Sequence, residues 1–114
     1  MNSRAAYQDV AATKDILKGE MLRVKMDDEW VLVANVAGTY HAVSDTCTHE
    51  DASLYLGALS DDCIRCPLHG SRFRLLDGKA LDDPADVDLV VYAVKVKNDR
   101  IFIAPYPQIT TKSS

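Results

Sequence analysis

Two short stretches carry the residues best suited to chemistry: Cys47-Thr48-His49 and Cys66-Pro67-Leu68-His69-Gly70-Ser71. Each sets one thiol and one imidazole a residue or two apart, and sixteen residues separate His49 from Cys66. Thiolate is a soft ligand that suits iron-sulfur clusters, zinc and copper(I), and imidazole suits several of the same metals. The spacing predicts two loops that converge on one metal centre, with the rest of the chain as their scaffold.

Two readings of the donor set follow. Two cysteines can bind one iron of a [2Fe-2S] cluster while two histidines bind the other, or all four can bind a single tetrahedral zinc. Common zinc modules pair Cys with Cys and His with His. Here each loop carries one of each, which suits a two-iron cluster gripped from both sides.

The elements that must position these loops read as strands. Leu22, Val24 and Met26 alternate with Arg23 and Lys25, the pattern of a half-buried strand from Glu20 to Met26. Asp27-Asp28 reverses the chain into a β-branched run, Trp30 to Val36. Ala37-Gly38 turns it again into Thr39 to Val43. Leu89 to Val96, a turn at Lys97-Asn98-Asp99-Arg100, and Ile101 to Ile103 predict a hairpin. These apolar stripes predict an all-β chain with an antiparallel β-sandwich base. Trp30 and the tyrosines read as core and interface packing. Between the two sets of strands lies a loop-rich insert, about 44–84. Its apolar patches at Leu54-Tyr55-Leu56, Cys63-Ile64-Arg65-Cys66 and Phe73-Arg74-Leu75-Leu76 predict a small three-stranded subdomain. Ala11 to Leu17 has room for a turn of helix. The residues from 105 to 114 read as a surface tail.

Composition excludes several classes. With 114 residues, 47% hydrophobic and 26% charged, the chain reads as one globular domain, 1–114. A net charge of -4 without a clustered basic surface argues against nucleic acid. No apolar run reaches the length of a membrane span, and the N-terminus has no signal-peptide core, so the expected location is the cytoplasm. Three cysteines cannot form a complete set of intrachain disulfides.

The pair C-T-H and C-P-L-H-G-S-R-F resembles the signature of Rieske [2Fe-2S] proteins, C-x-H followed at fifteen to seventeen residues by C-x-x-H-G. The flanks Phe73, Asp77-Gly78 and Pro84-Ala85 match as well, and the resemblance runs from about Glu20 to Ile103. It implies a Rieske-like fold with a small inserted cluster-binding β subdomain and one [2Fe-2S] cluster. Cys47 and Cys66 would ligate the buried iron, and His49 and His69 the exposed one. Pro67, Leu68, Gly70, Ser71 and Phe73 would surround it: Pro67 stiffening the second loop, Gly70 admitting close backbone approach, Ser71 donating to a bridging sulfide. High-potential relatives carry an extra cysteine in each loop and a tyrosine near a ligating sulfur, where this chain has Ala52, Leu68 and Phe73. A low potential follows.

The resemblance is to the ferredoxin components of bacterial aromatic-ring-hydroxylating dioxygenase systems. It implies a soluble one-electron carrier rather than an enzyme, taking electrons from a flavin-containing NAD(P)H-dependent ferredoxin reductase. The acceptor would be a terminal Rieske non-haem iron oxygenase of aromatic hydrocarbon catabolism. A small Rieske subunit of an assimilatory nitrite reductase and a zinc-stabilised interaction module are the rivals, distinguished by copurification with a sirohaem partner and by a colourless protein. Cys63 reads as a small buried hydrophobe despite its C-x-x-C spacing with Cys66, and His41 as a strand residue away from both loops. Glu50, Asp51, Asp61, Asp62, Asp82, Asp83, Asp86 and Asp88 read as solvated loop charge, with an acidic docking surface for a basic partner as the functional alternative.

Overall fold

The stretch Trp30 to Val36, apolar but for Asn35, explains the architecture, because both of its faces are buried. The computed structural model describes residues 7–48, 52–68, 70–83, 85 and 87–107, with the backbone alone at 105–107. Its strands are β1 (Gln8–Ala12), β2 (Met21–Met26), β3 (Glu29–Val36), β4 (Thr39–Ser44), β5 (Ala58–Ser60), β6 (Cys63–Arg65), β7 (Arg72–Arg74), β8 (Val91–Lys97) and β9 (Arg100–Pro107). Six of them form one antiparallel sheet in the order β1-β9-β8-β4-β3-β2. The other three form a second, smaller sheet in the order β5-β6-β7.

Side chains alternate across a strand, so β3 feeds two cores. Val31 and Val33 join Met26, Ala42, Tyr92 and Ile101 in one, to which all six strands of the large sheet contribute. The sheet therefore curls over this core and forms the sandwich-like base. Leu32 and Ala34 point the other way, joining Val43, Leu54, Ile64 and Phe73 beneath the small sheet. Each large side chain fully buried here contributes about 1.5–3 kcal/mol. Loss of alternation in the sequence of β3 is the expected mark of a strand covered on both sides.

The turns fall where the sequence places them. Ala37 and Gly38 have φ of 53° and 96°, and Asn98 and Asp99 have φ of 52° and 64°. Two successive positive values make the tight hairpin turn whose twist matches its strands. Asp27 at φ 56° supplies the left-handed residue of the β2–β3 reversal.

Several expectations need correction. Gln8–Ala12 is a strand paired with β9, where the sequence has only one β-branched residue. The helical turn expected over Ala11 to Leu17 is confined to a 3-10 turn at Thr13–Asp15, where the Asp15 carboxylate accepts the Ala12 N–H at 3.0 Å. Leu54-Tyr55-Leu56 is a 3-10 turn rather than a strand, because only Leu54 is buried; the strand follows at Ala58–Ser60. Residues 105–107 continue β9 instead of starting a tail, while 108–114 lie outside the described residues. Trp30 is 40% exposed, its ring covered by the Arg23 guanidinium at 4.1 Å and the Lys25 ammonium at 5.4 Å, so cation–π contacts replace core packing there.

Candidate metal centre

Cys47 follows β4 and Cys66 follows β6, and the two loops that begin with them close in the same way. The Cys47 N–H donates to the Ala52 carbonyl at 2.9 Å, and the Cys66 N–H donates to the Ser71 carbonyl at 2.8 Å. Each bond spans five residues. The first loop is also closed by a bridge between Thr46 and Ser53, the second by the pairing of Arg65 with Arg72. Within the second loop the Gly70 N–H returns to the Cys66 carbonyl at 3.0 Å. Gly70 has φ of 74°, and a side chain there would meet only the Arg65 side chain, at 3.6 Å. Among the described residues, a φ of this sign is what favours glycine at this position.

A third segment braces both loops. The Thr48 hydroxyl donates to the Val87 carbonyl at 2.6 Å, and the Ser71 hydroxyl donates to the Asp83 carbonyl at 3.2 Å. Sequence reasoning missed the Thr48 brace, since a hydroxyl between two metal donors gives no hint of a partner 39 residues away. The Ser71 contact with Asp83 was likewise not foreseen, the sequence pointing that hydroxyl to a bridging sulfide. At 3.2 Å that bond is long for a hydroxyl donor.

Cys47 and Cys66 are 3% and 2% exposed and belong to the same core as Phe73 and Leu54. Cys63 is buried as well, and none of these three thiols is in a disulfide. Two buried thiols at equivalent positions of matched loops fit a soft, thiophilic metal such as iron. Ala52 and Leu68 offer no thiol for a bridge between the loops, and Leu68 stands 59% exposed beside exposed Pro67. Phe73 is fully buried, paired across the small sheet with Ile64. His49 and His69 lie outside the described residues, as do Glu50, Asp51, Pro84 and Asp86.

The charges around the loops are committed locally. The Arg65 guanidinium donates to the Gly70 carbonyl at 2.8 Å. Arg72 pairs with Asp82 at 2.7 Å and Arg74 with Asp77 at 2.8 Å, and the arginine hydrogen bonds hold both carboxyls below the ordinary carboxylate value. Asp88 accepts the Ala80 N–H at 2.9 Å. Several members of the expected acidic surface therefore have structural tasks. Burial, then the hydrogen bond and charge of Asp62, push the Cys63 thiol up, as befits a protonated thiol in a packed strand. On β4, His41 pairs with Ala34 of β3, and burial lowers its pKa. Asp45, which no sequence pattern singles out, is 1% exposed and ties the first loop to the base.

The comparisons agree with this geometry. Residues 6–97 match the Rieske [2Fe-2S] domain. The chain is 38% identical over 106 residues to the biphenyl 2,3-dioxygenase ferredoxin component of Rhodococcus jostii RHA1, covering 93% of this chain and 99% of that one. It is 41% identical over 90 residues to the 3-phenylpropionate/cinnamic acid dioxygenase ferredoxin subunit of Escherichia coli K12, covering 78% of this chain and 84% of that one. A chain in a solved complex of reduced oxygenase and oxidised ferredoxin of carbazole 1,9a-dioxygenase superposes with a TM-score of 0.86 at 33% identity, covering 94% of this chain and 98% of that one. Two buried thiols on matched loops, the C-x-H and C-x-x-H-G spacing and this breadth of similarity have one conclusion: the chain belongs to the Rieske [2Fe-2S] domain family.

Proposed function

We propose that the chain is a low-potential one-electron carrier in an aromatic-ring-hydroxylating dioxygenase system, not the catalytic oxygenase. Cys47, His49, Cys66 and His69 would hold one [2Fe-2S] cluster, which supplies one-electron redox chemistry when bound. The chain's own residues do the rest. Cys47 and Cys66 keep their sulfurs in a dry, low-dielectric core, and the paired loop closures and the Thr48 and Ser71 hydroxyls hold the loops against the base. Leu68 and Pro67 present an apolar edge on which a partner can approach.

The carrying observation is that the loop positions where a disulfide and a tyrosine would raise the potential hold Ala52, Leu68 and a fully buried Phe73. Cys63 offers no substitute, since its thiol is buried 3.4 Å from the Asp62 carboxylate. The long Ser71–Asp83 bond is a weak competitor for the Ser71 proton, so donation to a bridging sulfide remains compatible with it. The donor would be a flavoprotein ferredoxin reductase and the acceptor a terminal oxygenase. A single domain working in the cytoplasm suits three cysteines that are in no disulfide. No helix among the described residues is long and apolar enough to cross a membrane.

Purified protein should be red-brown, contain iron and acid-labile sulfide, and give a reduced-state EPR signal averaging below that of a four-cysteine cluster. Its midpoint should lie well below zero, and NADH should reduce it through a partner reductase. A colourless zinc protein, or a clearly positive midpoint, overturns the reading.

A further inference from the structure

Asp45 is a buried carboxylate with more hydrogen bonds than its place at the end of β4 requires. Its Oδ2 accepts from Arg23 Nε at 3.0 Å and from the Ser53 hydroxyl at 2.5 Å, and its Oδ1 accepts the Tyr55 N–H at 2.9 Å. The backbone adds two more bonds: its N–H donates to the Trp30 carbonyl at 3.0 Å, and its carbonyl accepts the Leu54 N–H at 2.6 Å. One residue thus joins β3, β2 and the return limb of the first cysteine loop. Both ends of that loop hang on it.

The pair is also asymmetric. The Asp45 side chain is 1% exposed, whereas Arg23 is 38% exposed and lies over the Trp30 ring. The negative end therefore sits in low dielectric while solvent screens the positive end. Two residues of chain reach at most about 7 Å, so the backbone of Asp45 lies within that distance of the backbone of Cys47. Replacing a buried ion pair by neutral groups is often no loss of stability, so stability alone does not explain a charge here. An asparagine would satisfy Tyr55 equally well.

We propose that Asp45, held by Arg23, is a positioning residue for the first cysteine loop whose buried negative charge biases the centre against accepting an electron. This rests on the electron-carrier reading above. The role is electrostatic as well as mechanical, and the two parts have opposite signatures. Loosening the loop moves the midpoint in one direction whichever partner is removed. Charge predicts opposite directions: Asp45→Asn leaves an uncompensated cation and favours reduction, while Arg23→Gln leaves an uncompensated carboxylate and disfavours it.

The test is a redox titration of the loaded wild type, Asp45→Asn, Arg23→Gln, Arg23→Lys, Ser53→Ala and the double variant Asp45→Asn/Arg23→Gln. Iron and sulfide content is measured in each, and thermal unfolding is followed by the fluorescence of Trp30, the single tryptophan. The expected result is shifts of opposite sign in Asp45→Asn and Arg23→Gln, each about threefold or more in the reduced-to-oxidised ratio at fixed potential, where tenfold is 59 mV for one electron. The double variant should fall between them, and Arg23→Lys should stay near wild type. If Asp45→Asn loses the cluster, a downward shift in Arg23→Gln that exceeds any shift in the charge-neutral Ser53→Ala still supports the proposal. Shifts of the same sign, or none in fully loaded variants, overturn it. A wild type without iron and labile sulfide overturns the carrier reading itself, and this inference with it.

Discussion

Gly57 offers the sharpest stability prediction, because the structure leaves no room for a methyl group there. It follows the 3-10 turn at Leu54–Leu56, and its N–H donates to the Leu54 carbonyl at 2.9 Å. Its φ of -88° suits any residue, so backbone strain is not at issue. A Cβ built on it, however, would lie 1.9 Å from the Arg65 carbonyl oxygen and 3.2 Å from the Leu54 carbonyl oxygen. Real contacts do not fall below 3.0 Å, so β5 and β6 would have to part by about 1 Å or more. Both obstacles are backbone, which cannot swing aside as a side chain can. Overpacking costs about 1–3 kcal/mol in a core with some give, and Gly57→Ala should reach the upper end, about 3 kcal/mol. Since Arg65 immediately precedes Cys66, the displacement should also weaken cluster retention. Gly19→Ala is the control, with nothing within 4 Å of its Cβ but a φ of 85°. It carries only left-handed strain, about 1–2 kcal/mol. Urea unfolding followed by Trp30 fluorescence gives both values, and visible absorbance during incubation with a chelator gives retention. Equal destabilisation of the two variants, with equal retention, would refute the reasoning.

Other outcomes follow from the same contacts. Leu54→Ala removes a fully buried side chain between the base and the small sheet, and should cost about 2–5 kcal/mol in urea unfolding. Phe73→Tyr adds a hydroxyl near the candidate sulfurs and should raise the midpoint in a redox titration. Because Phe73 is 0% exposed, it should also lower stability by about 1–3 kcal/mol. The carboxyls of Asp77 and Asp82 are held below their ordinary value of 3.8, first by hydrogen bonds from Arg74 and Arg72. A depressed folded-state pKa means that the unfolded chain takes up protons first as pH falls. The stabilisation from these pairs is thus full above pH 4 or so and lost as pH drops through the lower folded values. Both pairs are substantially solvent-exposed and their effect is modest. Unfolding measured from pH 6 down to pH 3 should show a shallower acid loss for Arg74→Gln than for wild type, and parallel curves would contradict the assignment.

Strands β2, β3, β4, β8 and β9 are legible in the sequence because period-two alternation, β-branched runs and turn residues all agree there. Strand β1 escapes because Gln8-Asp9-Val10-Ala11-Ala12 carries little strand preference and is held by pairing with β9. Leu54-Tyr55-Leu56 misleads for a related reason: an apolar triplet does not say that Leu56 will stand 72% exposed. Tertiary contact overrides local preference in both cases.

The amino-acid sequence by itself pointed to the candidate donor set, since C-x-H and C-x-x-H are local patterns and a thiol or imidazole keeps its ligand chemistry wherever the chain puts it. It determined as well the absence of a loop disulfide, from Ala52 and Leu68. Only the tertiary structure decided that both cysteine loops close by the same five-residue bond, and that Thr48 and Ser71 lean on the segment carrying Asp83 and Val87. It alone decided that Asp45 is buried among three elements rather than solvated. A single Asp at a strand end reads as a surface residue, because burial depends on partners that sequence distance conceals, here Arg23 lying 22 positions away.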